Sequence, residues 1–184
     1  MRVIAGQFRS RKLLSVPGLD VRPTPDRLRE TLFNVLAKRI EDSVFLDAYA
    51  GSGAVGIEAL SRGARQVILI EKSAAALKVI ETNLASLGIG REAVLVRGDA
   101  ASLIGKYESN IAFLDPPYRQ TKAYADCLEA LATGACELAI AQHESRLQLE
   151  GQYGNLSKYR VLKQGDNSLS FFDRRPTTDE CPSR

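Results

Sequence analysis

The 184-residue chain holds one histidine, one methionine, three cysteines and no tryptophan. Each shortage removes a class of chemistry. His143 stands alone, and Cys127, Cys136 and Cys181 lack the close spacing of a zinc site, so neither metal ligation nor a Cys–His nucleophile is expected. An odd number of unpatterned cysteines predicts reduced thiols in a cytoplasmic protein. No apolar run approaches the ~20 residues of a membrane span. The N-terminus does not resemble a signal peptide, because Met1-Arg2-Val3-Ile4-Ala5-Gly6 leads straight into basic residues. His143, beside Glu144 and just past a strand end, is either a residue at the edge of a site or a solvated strand-end histidine, and the second is the favoured reading.

What is present is unevenly spread. The formal net charge is +3, yet residues 1–40 carry nine basic side chains (Arg2, Arg9, Arg11, Lys12, Arg22, Arg27, Arg29, Lys38, Arg39) against Asp20, Asp26 and Glu30. That segment is +6 and the remainder −3. A basic end on a mildly acidic body fits a polyanion partner gripped by that end, although a solvated hairpin and helix face would carry the same charge. At this length, with 45% apolar residues, one domain with one core is expected. It covers residues 1–175, with 1–40 a basic hairpin-and-helix extension, 41–175 an α/β core, and 176–184 a disordered tail.

The apolar pattern sets the order of elements. Residues 2–16 alternate loosely around Gly6 and read as a β-hairpin. Asp26 opens a helix whose apolar stripe is Leu28, Leu32, Phe33, Val35 and Leu36, ending near Ile40. Strands follow at 44–50, 66–71, 93–96, 111–114 and 138–141. Helices alternate with them at 54–62, 73–87 and 121–133; in the second, Leu77, Ile80, Leu84 and Leu87 face the core. Such alternation predicts a doubly wound parallel sheet with right-handed crossovers. The alternation then breaks: 159–163 and 169–172 flank the turn cluster Gln164-Gly165-Asp166-Asn167 and read as a hairpin.

Two motifs lie where ligands bind in such sheets, at the C-terminal ends of strands. Gly51-Ser52-Gly53-Ala54-Val55-Gly56 is a G-x-G-x-x-G between a strand and a helix. It permits close backbone approach to a ligand, but nicotinamide, flavin and S-adenosylmethionine sites all use related loops. Asp47, four residues earlier, faces that loop, where a carboxylate holds a cation and is ill placed beside a pyrophosphate. Glu71 ends the second strand, suited to a ribose diol, and Asp99 follows the third, suited to an adenine amino group. The second motif is Asp115-Pro116-Pro117-Tyr118, directly after Ile111-Ala112-Phe113-Leu114. Two prolines fix their φ angles and give up their N–H donors, leaving carbonyl acceptors. Acceptors beside an aromatic ring suit a planar amine whose ring stacks.

Asp47-Ala48-Tyr49-Ala50-Gly51-Ser52-Gly53, Glu71, Asp99 and the Asp-Pro-Pro-Tyr tetrad resemble the ordered motifs of class I S-adenosylmethionine-dependent amino-methyltransferases. The stretch from Ala50 to Ala64, with Arg2-Val3-Ile4-Ala5-Gly6, Arg22-Pro23-Thr24 and Asp26-Arg27-Leu28-Arg29-Glu30-Thr31-Leu32-Phe33-Asn34, narrows the resemblance. It is to the RsmD family of bacterial 16S rRNA guanine-N(2) methyltransferases, over roughly residues 2–175. Tyr49 stands where Phe is usual. The resemblance implies a Rossmann-like, seven-stranded, mostly parallel sheet with an antiparallel last strand. It implies S-adenosylmethionine held by Asp47, Ala50, Gly51, Ser52, Gly53, Glu71, Lys72, Asp99 and Ala100, with Thr24 at a lid. Asp115, Pro116, Pro117 and Tyr118 would be catalytic, taking a base flipped from its stack. Arg9, Arg11, Lys12, Arg22 and Arg27 would contact RNA. The partner implied is 16S rRNA in an assembling small subunit, met by a monomer, with no metal and no membrane.

Rival readings keep part of this pattern. An adenine or cytosine amino-methyltransferase on DNA, or a glutamine methyltransferase on protein, would use the same tetrad. A nicotinamide oxidoreductase would use the same glycine loop, but Asp47 and the tetrad speak against it.

Overall fold

A computed structural model describes residues 1–17, 26–117 and 120–174. Arg22, Thr24, Tyr118, Cys181 and the tail from 176 lie outside the described residues. Helix α1 (Asp26–Leu36) leads into β1 (Val44–Asp47), α2 (Ala54–Ser61), β2 (Gln66–Glu71), α3 (Ala74–Leu87) and β3 (Ala93–Arg97). Then come α4 (Ala100–Leu103), β4 (Ile111–Leu114), α5 (Thr121–Thr133) and β5 (Leu138–Glu144). Short β6 (Gln152–Tyr153), β7 (Leu156–Gln164) and β8 (Asn167–Arg174) close the chain.

The strands form one sheet in the order β3-β2-β1-β4-β5-β8-β7-β6. The first five are mutually parallel, and β8 enters antiparallel beside β5. The Rossmann-like methyltransferase architecture is therefore present, extended beyond seven strands by the two-residue β6. Alternation along the strands divides the core. Phe45 packs with Phe33, Leu36, Ile57 and Ile80 on one face, while its neighbour Leu46 packs with Leu114, Tyr124, Cys127 and Leu128 on the other. Such period-two burial on both faces is what near-continuous apolar strands require.

Helix ends follow local chemistry. Ser73 caps α3 by accepting the Ala76 N–H, and Gly88 ends it with φ 68°, a left-handed position that glycine takes without strain. Helix α1 stops at Leu36 rather than near Ile40, and the Arg39 amide tightens the turn that follows with an i→i−3 bond to the Leu36 carbonyl. The N-terminal hairpin bridges Arg2 with Lys12 and is closed by the Val3 N–H on the Arg11 carbonyl and the Leu13 N–H on the Met1 carbonyl, while the amides of Ile4, Ala5 and Leu14 bond to side chains of the helices beneath. Strand β5 runs to Glu144 instead of ending at Ala141, because β8 pairs with it as far as Asn167.

Candidate active site

Strand order reverses between β1 and β4, and a doubly wound sheet opens its ligand crevice at that point. Four neighbouring strands deliver acids to the same edge. Asp47 ends β1 and Glu71 ends β2, while Asp99 follows β3 and Asp115 follows β4. In sheet order the row is Asp99, Glu71, Asp47, Asp115. The predicted acids are thus collected by the fold itself.

The glycine loop is tied down from three sides. Gly51 and Gly53 take φ of 55° and 78°, conformations open to glycine and costly for other residues. Glu71 accepts the Gly51 N–H through Oε2 at 2.8 Å and the Ser73 N–H through Oε1 at 2.8 Å. Asp47 Oδ2 accepts the Gly56 N–H at 3.0 Å. Asn83 Nδ2 donates to the Ser52 carbonyl at 2.9 Å. A side chain at Gly51 would project into open space, the space a ligand lying on the loop would take. At Gly56 an added Cβ would stand 2.4 Å from the Leu69 side chain, so that glycine serves helix–strand packing instead.

Asp47 is 2% exposed. Burial pushes its carboxyl up to about 7, the Gly56 N–H opposes the rise, and Asp115 and Glu71 add to it. Three carboxylates that repel one another around a glycine loop form a site complementary to a cation. Glu71 has one backbone partner on each oxygen, and each oxygen keeps a lone pair for a hydroxyl donor. Asp99 is exposed at the head of α4 and accepts the Ser102 hydroxyl at 3.4 Å. Lys72 is exposed and Ala100 buried.

Asp115 is half-buried, Pro116 buried and Pro117 exposed. The Pro117 carbonyl accepts the Gln120 N–H at 2.8 Å, which braces the turn. Asp115 Oδ2 accepts from Gln142 Nε2 at 3.0 Å. Gln142 was not expected from sequence, since one amide in an apolar strand carries no motif.

The basic arm is seated by two further unexpected residues. Glu58, buried in the mostly apolar α2, accepts the N–H groups of Ile4 and Ala5 at 2.8 and 3.0 Å. It also pairs with Arg62 at 2.7 Å and with fully buried Arg29 at 3.8 Å. Asn83 brackets Leu14, accepting its N–H and donating to its carbonyl. Both were legible as polar residues at core-facing helix positions. Seated so, the arm leaves Arg9, Arg11 and Lys12 exposed, with Arg27 exposed on α1. Arg11 donates to the Ser86 carbonyl at the end of α3.

His143 corrects the expectation of a solvated side chain. It is 3% exposed, with Nε2 2.8 Å from Ser170 Oγ and Nδ1 2.8 Å from the Glu144 carbonyl. The longer β5 and its pairing with β8 enclose it, and burial lowers its pKa. Cys127 and Cys136 are buried and free, each pushed up to about 11 by burial. No group of metal-ligating side chains occurs among the described residues. No helix among them is long and apolar enough to cross a membrane. Two surface grooves of about 390 and 350 Å³ share Arg39 and Leu138, at the N-terminal ends of the parallel strands, away from the acids.

A glycine loop at the switch point, flanked by strand-end acids and an Asp-Pro-Pro turn, defines a Rossmann-like class I methyltransferase. Comparison with known proteins gives the family. Residues 1–173 match the model described as conserved hypothetical protein 95, and the chain belongs to this family, the RsmD family. YlbH of Bacillus subtilis (strain 168), which bears a provisional rRNA methyltransferase name, is 32% identical over 95% of this chain and 100% of its own. Ribosomal RNA small subunit methyltransferase D of Escherichia coli (strain K12) is 47% identical over 65% of this chain, an aligned segment spanning 61% of that relative. The solved structure of yhhF from Escherichia coli, described as a provisional methyltransferase, superposes with a TM-score of 0.82 at 38% identity, covering 96% of this chain and 99% of that one.

Proposed function

We propose that this protein methylates the exocyclic 2-amino group of a guanine in 16S rRNA, using S-adenosylmethionine. Asp115 carries the reading: it stands beside Asp47 across the switch point, on the rigid Pro-Pro turn that ends β4. Family membership and the name of the Escherichia coli relative support rRNA as the substrate class.

The residues fit the cofactor. Asp47 meets the ammonium group, Glu71 the ribose hydroxyls and Asp99 the adenine amino group, with Ala50, Gly51, Ser52 and Gly53 as the cradle. Lys72, Ala100 and Thr24 complete the set. When bound, S-adenosylmethionine supplies an electrophilic methyl group and leaves as a neutral thioether, chemistry that needs no metal.

The acceptor side belongs to the tetrad. An aromatic amine is a weak nucleophile because its lone pair is delocalised into the ring. Asp115 and the Pro116 carbonyl accept its two N–H bonds and aim the lone pair. This is positioning and electrostatic stabilisation before it is proton transfer. Asp115 then takes the proton that the methylated amine sheds. Tyr118 stacks on the flipped base, worth ~1–3 kcal/mol. Arg9, Arg11, Lys12, Arg22 and Arg27 hold phosphates, which adds affinity with little sequence choice. The protein acts as a monomer on an assembling small subunit.

The test is nucleoside mass spectrometry of small-subunit rRNA from a strain lacking the protein. One 2-methylguanosine should be missing, restored by the wild type and not by Asp115→Ala. An unchanged profile would redirect the chemistry to DNA or protein.

A further inference from the structure

Strand β5 reads Leu138-Ala139-Ile140-Ala141-Gln142-His143-Glu144, and its first four residues are fully buried and apolar. Gln142 is 2% exposed, so a primary amide has been taken from water in an apolar layer. The β4–β5 register pairs Leu114 with Ala141, which brings the next residues, Asp115 and Gln142, side by side at the strand ends. There Gln142 Nε2 donates to Asp115 Oδ2 at 3.0 Å. The amide orientation follows from the chemistry: turned over, Oε1 would face an ionised carboxylate with no proton between them.

Among the described residues the other half of the amide has no partner. Gln142 Oε1 is buried without a hydrogen bond. An unpaired buried acceptor is a standing cost to the fold, and an apolar side chain of similar size would avoid it. The amide is therefore held in β5 for the bond its nitrogen makes to Asp115, at a cost its oxygen bears. Its backbone is also held firmly. The Tyr124 hydroxyl donates to the Gln142 carbonyl at 2.8 Å, Leu169 pairs with it on β8, and His143 is locked onto Ser170. Asp47, at the end of β1, and Asp115 repel one another across the switch point, and Gln142 from β5 is neutral.

We propose that Gln142 is the positioning residue of the methyl-acceptor site, holding Asp115 in the rotamer that receives the amine. This rests on the methyltransferase reading above. A neutral donor suits the task, because it orients an ionised carboxylate without neutralising it, whereas a lysine or arginine would quench the charge the amine needs.

Methyl transfer to small subunits from the deletion strain tests this, using wild type, Gln142→Leu and Gln142→Glu over a range of pH. Cofactor affinity is measured alongside by calorimetry, and Tm by scanning calorimetry. Gln142→Leu should keep its Tm and cofactor affinity and lose kcat by about 10- to 100-fold, since misplacement of a catalytic group costs on that order. Gln142→Glu places a second carboxyl against Asp115, and one proton shared between the two restores the wild-type hydrogen bond. That variant should be active at mildly acid pH and lose kcat as pH rises, a decline absent from the wild type. A folded Gln142→Leu with unchanged kcat would overturn the assignment, and so would a Gln142→Glu pH profile that matches wild type. Absence of methyl transfer by the wild type would instead remove the methyltransferase reading itself.

Discussion

Asp47 accepts the amide N–H of Gly56 across 3.0 Å, so the last residue of β1 is bonded into the first turn of α2. The bond fixes a carboxylate beneath the glycine loop and buries it. Burial holds that carboxyl at about 7 in the folded chain, whereas an unfolded chain releases the proton near 4. Between those values the folded state binds a proton that the unfolded state lacks. The stability from this group is therefore fully present below about pH 4 and is lost as pH rises through about 7. Asp47→Asn removes the loss. Its Tm relative to wild type should climb between about pH 5 and pH 8, as read by scanning calorimetry. Cofactor binding should run the other way. Wild-type affinity should strengthen as pH rises through about 7, because only the ionised acid attracts an ammonium group. The Asn variant should bind weakly at every pH.

Asp115 and Glu71 separate the two halves of the reaction. Asp115→Ala should lower turnover by roughly 10²- to 10⁴-fold, the usual range for a positioned proton acceptor. Cofactor affinity should barely move, since Asp115 lies on the acceptor side of the crevice. Glu71→Ala should do the reverse. It removes a hydrogen bond from Gly51 and one from Ser73, so the cradle loosens and cofactor affinity falls. Calorimetry and single-turnover methyl transfer on the same samples would distinguish these effects. Equal loss of affinity in both variants would contradict the division.

Much of this layout was legible in the chain because the parallel strands are near-continuous apolar runs, and the first four are ended or soon followed by an acid. The expected ranges for β2 and β4 match the folded ones residue for residue, and Asp47, Glu71, Asp99 and Asp115 fall in one row. What escaped were residues whose importance depends on who their neighbours are. Gln142 matters because β4 and β5, separated by a whole helix, pair so that it lies beside Asp115, and no motif around Gln142 announces that partner. His143 looked solvated because Ala141 seemed to end β5, and only pairing with β8 carries the strand past it. Glu58 and Asn83 bond to residues 53 or more positions away by sequence in the first case and 69 in the second.

Glu58 couples the arm to the core through a buried charge cluster. It accepts two arm amides and pairs with Arg29, whose guanidinium has no exposure. Burial lowers the Arg29 pKa, against the opposing pull of Glu58 and Asp26. Glu58→Ala would leave a buried arginine without its main counter-charge, at a cost of ~3–5 kcal/mol. For a chain of this size that amounts to a fall in Tm on the order of 10 °C. Gly6→Ala reaches the arm alone. Its φ is 81°, and an added Cβ would fall 1.7 Å from the Ser61 carbonyl oxygen, so the arm must lift away. Hydrogen exchange should then quicken at Ile4, Ala5 and Gln7 while the strands keep their protection. A Gly6→Ala variant with wild-type exchange in the arm would show that the docking is not rigid.

The docked arm presents Arg9, Arg11 and Lys12 to solvent on the side where α2 and α3 meet it. Side chains that bind phosphates release counterions, and each such contact steepens the salt dependence of affinity by about one in a log–log plot. Changing Arg9 and Arg11 together to Ala should thus flatten the slope for small-subunit rRNA by about two and weaken binding most at low salt. Arg11 spends one nitrogen on the Ser86 carbonyl, but a guanidinium has five N–H donors, so it can still reach a phosphate. Turnover at saturating RNA should survive, because phosphate contacts add affinity rather than position the reacting amine. Filter binding across a salt series measures the slope, and methyl transfer at saturation measures kcat. Parallel slopes for variant and wild type would exclude the arm from the RNA interface. A matching slope with a lost kcat would instead tie the arm to the geometry of the crevice.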